Sequence, residues 1–333
     1  MRVPTNFFSP SLISKTRLGP SKPSLSPLVR FHAWPFEMQL PQTVKHTASG
    51  IVLEAVPLTP EAFAPFGDVI ENPRPDLHPS SADKQPSLPF NAITANQGSA
   101  IKYQHVSRQI NLYDQAPSGR PAPAVMSMFV CAARARSPGQ APIPAPALTP
   151  APAPAPAVVP ARTPAAQLPS TFPVTVLERH PFTTQTFLPL TANPAAHYLV
   201  IVAPTLPPST SDRTKEATLP VPATVPPSAN YPRPLPGSGM PDLRRLRAFV
   251  ANATQAVTYG AGTWHAPMVA LGEVGTAIPF VVAQFANGVG VEDCQEVYLE
   301  GRSEGEAGNE KRIMVDLRPL EAERVRKMKM AKL

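Results

Sequence analysis

The sequence predicts a mainly β protein, a sandwich or a barrel of short strands with a few short helices. Apolar stretches of about four to ten residues recur between turn-forming residues, and only one clear stretch has helical spacing. Proline accounts for 47 of the 333 residues, about 14% against a usual share of roughly 5%. Because the prolines are clustered, we expect disordered Pro-rich inserts in an otherwise ordinary globular domain.

The strand predictions rest on period-two alternation or on continuous apolar runs. The predicted strands are 51–57, 99–106, 124–133, 174–179, 185–190, 197–203, 256–259, 268–271, 279–285 and 295–299. A short helix is predicted with Thr59 as N-cap and Pro60 at its first position, ending before Gly67. A second helix is predicted over 241–250, and its apolar face would comprise Leu243, Leu246 and Phe249.

The domain prediction is one catalytic domain over 38–300 with two interruptions. The insert 137–169 holds 11 prolines and the insert 204–240 holds 10, so neither is expected to bury enough apolar surface to order itself. Residues 1–37 are expected to form a disordered extension and residues 301–333 a charged tail. The inserts then lie in surface loops, where added length costs little.

Charge and cysteine content exclude several classes of function. Residues 1–37 hold five basic and one acidic residue, and residues 301–333 hold nine and six. These two ends account for the whole formal net charge of +7, so no nucleic-acid-binding face is expected on the neutral body. No apolar run reaches the 18 residues of a membrane span, and two cysteines make neither a disulfide framework nor a zinc site.

The N-terminal 37 residues leave two cellular locations open. They are basic, rich in serine and free of acidic residues before Glu37, which is typical of a mitochondrial transit peptide. Their prolines would interrupt an amphipathic helix. The other interpretation is a non-functional extension ahead of Met38, which gives a cytoplasmic protein.

Two segments contain titratable and aromatic side chains that a purely structural strand does not require. In the first, Glu178 and His180 share one face of a strand, and burying both is costly without a ligand, metal or partner. The alternative is that Glu178 pairs with a cation such as Arg179 at the rim. In the second, a glycine-containing turn precedes Trp264 and His265. There the alternative is a structural Trp–His pair.

Together the segments resemble the two motifs of the cupin double-stranded β-helix, His-x-His-x4-Glu and Gly-x2-His. This chain has Glu178-x-His180-x4-Gln185 followed by Gly262-x2-His265. Glutamate thus replaces the first histidine, and glutamine replaces the glutamate. One carboxylate, two imidazoles and one amide can hold a divalent ion, so Glu178, His180, Gln185 and His265 are the candidate metal ligands.

Five blocks of sequence follow one another along the chain: 58–71, 177–190, 241–259, 262–271 and 285–299. In this order they resemble the ureidoglycolate lyase family, and the Gln-Phe-Ala-Asn-Gly ending is similar to its fungal-type form. The resemblance implies a cupin-like β-barrel, usually a homodimer, that cleaves ureidoglycolate to glyoxylate and urea late in purine (allantoin) catabolism. It also implies a divalent metal, notably nickel, for some members. Neither a nucleic acid nor a membrane is expected as a partner.

For this reaction His265 is the predicted general base, because it fills the second motif position. Glu178 or His180 would be the acid or would orient it. The substrate carboxylate needs a cation, for which Lys102 and Arg179 are the candidates. The other predicted substrate-binding residues are Tyr103, Gln185, Trp264, Gln284 and Asn287.

Several alternatives stay open at this stage. Lys102 and Arg179 could be solvated surface cations, and Asn287-Gly288 could be a turn. Glu178, His180 and His265 also match the ligand count of a metal-dependent dioxygenase. Other interpretations are an isomerase acting on another small carboxylate, a non-catalytic binding protein, or a scaffold that uses the Pro-rich inserts.

Overall fold

Strands dominate the structure, a computed structural model that describes nine segments of the chain. The described residues are 42–45, 50–85, 87–134, 171–207, 219–223, 233–273, 275–300, 302–303 and 310–318. The strands are β1 (Gln42–Lys45), β2 (Val52–Pro57), β3 (Gly67–Ile70), β4 (Ile93–Ala95), β5 (Ala100–Lys102), β6 (Ala124–Ala132), β7 (Thr171–Val174), β8 (Val176–Arg179), β9 (Gln185–Pro189), β10 (His197–Ala203), β11 (Arg247–Asn252), β12 (Ala256–Tyr259), β13 (Trp264–His265), β14 (Val269–Leu271), β15 (Ala277–Phe285), β16 (Gln295–Glu300), β17 (Arg302–Ser303), β18 (Glu310–Lys311) and β19 (Ile313–Asp316). The mainly β class predicted from the sequence is confirmed.

The described α-helices are α1 (Pro60–Phe63) and α2 (Gly290–Asp293), and each spans four residues. The predicted start of α1 is confirmed, because the Thr59 hydroxyl accepts a hydrogen bond from the Ala62 amide at 3.2 Å. The helix buries Phe63 edge-on against the ring of Phe249. Among the described residues, no helix is both long and apolar enough to cross a membrane.

Two sheets form the body of the protein. The larger has the order β1-β16-β8-β13-β10-β11-β2-β19-β7, with β14 also paired to β10, and the smaller has the order β3-β12-β9-β15-β6. Leu177 and Val297, near one end of the larger sheet, share a buried apolar cluster with Phe172 and Ile313 at the other end. The larger sheet therefore curls on itself, in agreement with the cupin-like barrel that the family resemblance implies.

Strand β10 separates two hydrophobic cores. Leu199 and Ile201 point into the core enclosed by the curled sheet, whereas Tyr198, Val200 and Val202 point into a second core between the two sheets. Each fully buried aliphatic side chain of this kind stabilises the fold by about 1.5–3 kcal/mol. Both faces of β10 are buried, which explains its continuous apolar sequence.

The helix predicted over 241–250 is wrong. Only Leu243–Arg245 form a single 3-10 turn, and the chain then continues as β11. Strand β11 pairs with both β10 and β2, so its residues alternate between the two cores. Ala248 faces one core and Phe249 the other. When an apolar segment is buried on both faces, its hydrophobic periodicity does not distinguish a strand from a helix. The segment forms a strand because it pairs with β10 and β2.

Parts of the predicted second insert and C-terminal tail belong to the folded body. In the insert, residues 233–240 are described and Leu235 is buried. In the tail, β19 pairs with β2 and β7, and Ile313 and Val315 are fully buried. High proline content and high charge concealed the short apolar stretches that pack here. Residues 1–37 and 137–169 lie outside the described residues.

The two ends of the first insert lie close together. The guanidinium carbon of Arg134 is 5.8 Å from the centre of the Phe172 ring, and residues 135–170 connect them. A loop whose ends are already held together adds little to the free energy of folding when its length changes.

Deleting residues 140–166 is therefore expected to leave catalytic activity and the unfolding temperature nearly unchanged. Nine residues would remain to join the ends. Activity assays and thermal unfolding of the full chain and the deletion variant would check this. A large loss of activity in the variant would mean that the Ala-Pro segment is more than a spacer.

Candidate active site

Three of the predicted site residues lie together on the face of the larger sheet that looks toward the smaller one. Glu178 pairs in register with His265 on one side and with Glu296 on the other, so these side chains project from one face. His180 follows two residues later and also joins this group. Gln185, from β9 in the smaller sheet, contacts His265, which places the site between the sheets.

The turn before His265 sets its position. Gly262 has a φ of +77°, which glycine adopts without strain, and its amide donates a hydrogen bond to the His180 carbonyl at 2.8 Å. The Thr263 hydroxyl donates to the Phe66 carbonyl at 3.0 Å. The first bond ties the turn to the end of β8 and the second ties it to the start of β3, and His265 is only 1% exposed.

The two ring nitrogens of His265 have different hydrogen-bond partners, which fixes the position of the ring hydrogen. Its Nδ1 lies 2.9 Å from the Thr263 carbonyl oxygen, and a carbonyl only accepts, so Nδ1 carries a hydrogen. Its Nε2 faces Gln185 Oε1 at 3.2 Å and Glu178 Oε1 at 3.5 Å. Tyr259 stacks on the ring with centroids 3.9 Å apart. Two oxygen acceptors therefore surround Nε2, and a proton on Nε2 is shared between Gln185 and Glu178.

His180 presents a second buried imidazole. Its Nδ1 lies 2.6 Å from the Asp293 carbonyl oxygen, so this nitrogen also carries a hydrogen. Its Nε2 is buried and has no hydrogen-bond partner among the described residues. Burial lowers the pKa of His180, which keeps the ring neutral. The rings of His180 and His265 are 5.5 Å apart.

Glu178 is the charged member of the group. Burial acts to raise the pKa of its carboxyl, but the hydrogen bond to His265 and the electrostatic attraction between the two groups outweigh this effect and lower it. Its side chain is 17% exposed, compared with 1% for His265. Glu178 is therefore an anion that keeps partial contact with solvent.

These donor atoms converge as ligands of a divalent cation do. The carboxylate of Glu178 and the ring nitrogens of His180 and His265 lie within 4.8 Å of one another. The Gln185 amide donates to Gln284 Oε1 at 2.7 Å, which turns its own oxygen toward His265. Both rings have Nδ1 bonded to a backbone carbonyl, as metal-binding histidines usually do. The residues present thus fit a divalent metal.

Arg179 lies on the opposite face of β8 and does not reach the site. Its guanidinium donates to Gln295 Oε1 at 2.8 Å and to the carbonyls of Gly237 at 3.0 Å and Gly239 at 3.2 Å. It lies 4.3 Å from the centre of the Trp264 ring, and burial lowers its pKa to about 9. The prediction that Arg179 and Trp264 bind substrate is corrected, because side chains alternate along a strand.

The remaining predicted residues have different environments. Lys102 is exposed at the end of β5, and the Tyr103 hydroxyl is buried with no hydrogen-bond partner among the described residues. Gln284 holds the Gln185 amide. Asn287 lies in the chain corner around α2, where its side chain donates to Glu292 at 2.7 Å, so it does not face the site.

Four residues near the site were missed by the sequence analysis. Glu296 and Cys294 place their ligand atoms within 4.8 Å of each other and of Glu178, and burial together with the charge of Glu178 raises the pKa of Glu296. Strand register would have shown this pair. Tyr259 stacks on the ring of His265, and Asp293 contacts His180 through its backbone carbonyl. Neither role can be recognised from the residue type.

Comparisons with known proteins agree with this architecture. Residues 50–304 match the family model described as ureidoglycolate lyase. The ureidoglycolate lyase of Schizosaccharomyces pombe is 32% identical over 239 residues, which cover 72% of this chain and 86% of the relative. That of Burkholderia mallei is 30% identical over 67% of this chain and 77% of its own length. That of Saccharomyces cerevisiae is 40% identical over 30% of this chain and 36% of its own length. Since the family model spans most of the chain and includes both buried histidines, the chain belongs to the ureidoglycolate lyase family.

Proposed function

We propose that this protein is a lyase that cleaves ureidoglycolate to glyoxylate and urea. The observation that carries the proposal is the family match over residues 50–304, which encloses the buried group of Glu178, His180 and His265. A carboxylate beside two imidazoles between two sheets is suited to moving protons on a small polar substrate.

The reaction needs two proton transfers. One carbon of ureidoglycolate carries a hydroxyl, a carboxylate and a urea nitrogen. When the hydroxyl loses its proton, the oxygen electrons form the carbonyl of glyoxylate and the electrons of the C–N bond pass to the nitrogen. That nitrogen takes up a proton and leaves as urea. No water is consumed, so the step is an elimination.

The structure supports a division of these tasks between the two histidines. His180 Nε2 has a lone pair and no described partner, so it accepts the hydroxyl proton. A proton on His265 Nε2 is held between Glu178 and Gln185, and it is delivered to the urea nitrogen. Glu178 stabilises the charged imidazole. This assignment reverses the sequence-based prediction that His265 is the base, because two acceptors surround its Nε2.

The same atoms suit a divalent metal, which Glu178, His180, Gln185 and His265 would hold. Bound there, a metal such as nickel would supply Lewis acidity that lowers the pKa of the substrate hydroxyl. The two uses of the site exclude each other, because a ligating Nε2 has no lone pair left for a proton. In that case Glu178 and the two histidines would bind the metal and orient the substrate rather than transfer its protons.

Substrate binding and assembly complete the proposal. Lys102 is the candidate partner of the substrate carboxylate, since the guanidinium of Arg179 is committed to backbone carbonyls. A homodimer is proposed from the family, and exposed apolar residues on the edge strand β6, such as Met126 and Val130, support it. We propose a cytoplasmic protein, with mitochondrial import if residues 1–37 act as a transit peptide.

Protein lacking residues 1–37 is expected to release urea and glyoxylate from ureidoglycolate in equal amounts. Both products would be measured for each enantiomer, with and without prior chelation. Loss of turnover after chelation assigns the histidines to a metal, whereas unchanged turnover assigns them to proton transfer. No turnover under any condition by a folded protein would contradict the lyase and favour a binding protein. Oxygen consumption would favour the dioxygenase.

A further inference from the structure

We propose that Asp293 and Tyr113 are positioning residues that fix the orientation and tautomer of His180. The inference rests on the proposed lyase function, because His180 has a defined chemical task only there. Asp293 ends helix α2, and Tyr113 begins a 3-10 turn, Tyr113–Gln115, well before β8. Three segments distant in sequence thus meet behind one imidazole.

The contact that sets the tautomer is the bond between His180 and the backbone of Asp293. Nδ1 lies 2.6 Å from the carbonyl oxygen, and this oxygen can only accept. The hydrogen is therefore held on Nδ1, and Nε2 keeps its lone pair. Nε2 has no hydrogen-bond partner among the described residues, so the tautomer depends on this one carbonyl.

The Asp293 carbonyl is held in place by the carboxylate of the same residue. Oδ1 accepts from the Tyr113 hydroxyl at 2.6 Å and from the Asn287 amide at 2.9 Å, and Oδ2 accepts from the Gly288 amide at 2.8 Å. Hydrogen bonds to a charged acceptor are short and strong, and Asp293 is only 8% exposed. A carboxylate held by three donors leaves its own backbone little freedom.

Tyr113 holds this arrangement from two directions. Its ring packs 5.7 Å from the ring of Phe182, which comes two residues after His180. Its hydroxyl reaches Asp293 on the other side. Burial, together with the hydrogen bond and charge of Asp293, raises the pKa of Tyr113 well above its ordinary value, so the hydroxyl always has a hydrogen to donate. Tyr113 therefore contacts both segments that the His180–Asp293 hydrogen bond joins: Phe182 beside His180, and Asp293 itself.

Replacing Tyr113 with phenylalanine removes only this hydroxyl and is expected to lower kcat for ureidoglycolate about tenfold. KM should change less than about twofold, because Tyr113 does not touch the substrate. The matched control is Ser118→Ala, which removes a hydroxyl from the same corner. Ser118 donates to Glu292 at 2.7 Å rather than to Asp293, so kcat is expected to stay close to that of the unmodified protein.

Nitrogen NMR of histidine-labelled full-length protein after chelation would test the tautomer directly. Of the seven histidines, His180 would be assigned by the loss of its signals in His180→Gln. The unmodified protein should show a hydrogen on Nδ1 alone, and Tyr113→Phe should add a second tautomer.

A hydrogen on Nε2 in the unmodified protein would overturn the proposal, even if Tyr113→Phe failed to fold. Equal values of kcat in Tyr113→Phe and Ser118→Ala would also overturn it. The NMR measurement needs no substrate, so its failure is separate from failure of the proposed reaction, which the release of urea and glyoxylate tests.

Discussion

Replacing His265 with alanine is expected to lower the turnover of ureidoglycolate by about a hundredfold to ten-thousandfold, the range typical of a lost acid or base. The ring is in contact with Gln185, Glu178 and Tyr259, and no other imidazole occupies this position. Steady-state kinetics of the variant, with its unfolding temperature measured in parallel, would check the expectation.

The controls separate chemistry from folding. His265→Gln keeps a polar group of similar size and should lose activity as well, with less effect on stability. His197, exposed at the start of β10, lies away from the site, and His197→Ala should retain full turnover. Near-normal activity of His265→Ala would exclude His265 both as an acid or base and as an essential metal ligand.

Replacing Arg179 with methionine is expected to lower the free energy of unfolding by about 3–5 kcal/mol, because it leaves three hydrogen-bond acceptors without their donor. Methionine fills similar space beside Trp264 but cannot donate hydrogen bonds. The carbonyls of Gly237 and Gly239 and the side-chain oxygen of Gln295 would lose their donor. Each buried acceptor without a partner costs about 1–3 kcal/mol. Equilibrium unfolding in urea would measure the loss.

The matched control for this prediction is Arg245→Met. Arg245 pairs with Asp242, but its side chain is 65% exposed, and exposed ion pairs contribute at most about 1 kcal/mol. A loss for Arg179→Met no larger than that for Arg245→Met would mean that the Arg179 network is structurally dispensable.

The sequence predicted those strands whose residue composition is itself typical of strands. The predicted strands 197–203 and 256–259 match β10 and β12 residue for residue, since apolar β-branched and aromatic residues concentrate there. The order of blocks predicted the family, and motif spacing brought Glu178, His180 and His265 to one place. By contrast, β11 was predicted as a helix, because its pairing partners are distant in the chain.

From the sequence, only those site residues could be predicted that are recognisable by side-chain type and by their alternation along one strand. Strand parity places Arg179 on the face opposite Glu178, and the structure shows it buried against Trp264. The contribution of Asp293 could not be predicted, because it acts through a backbone carbonyl that every residue possesses. Glu296 needed the register between β8 and β16, which no single strand reveals.

The two faces of β8 have a consequence for how this enzyme tolerates mutation. Leu177 and Arg179 are fully buried on the core side, whereas Glu178 and His180 belong to the site. Neighbouring codons are therefore under different selection: every second position should be limited by protein abundance and the positions between by catalytic rate. Substitutions at 178 or 180 should therefore change the catalytic rate more than the stability, whereas substitutions at 177 or 179 should change the stability more than the rate.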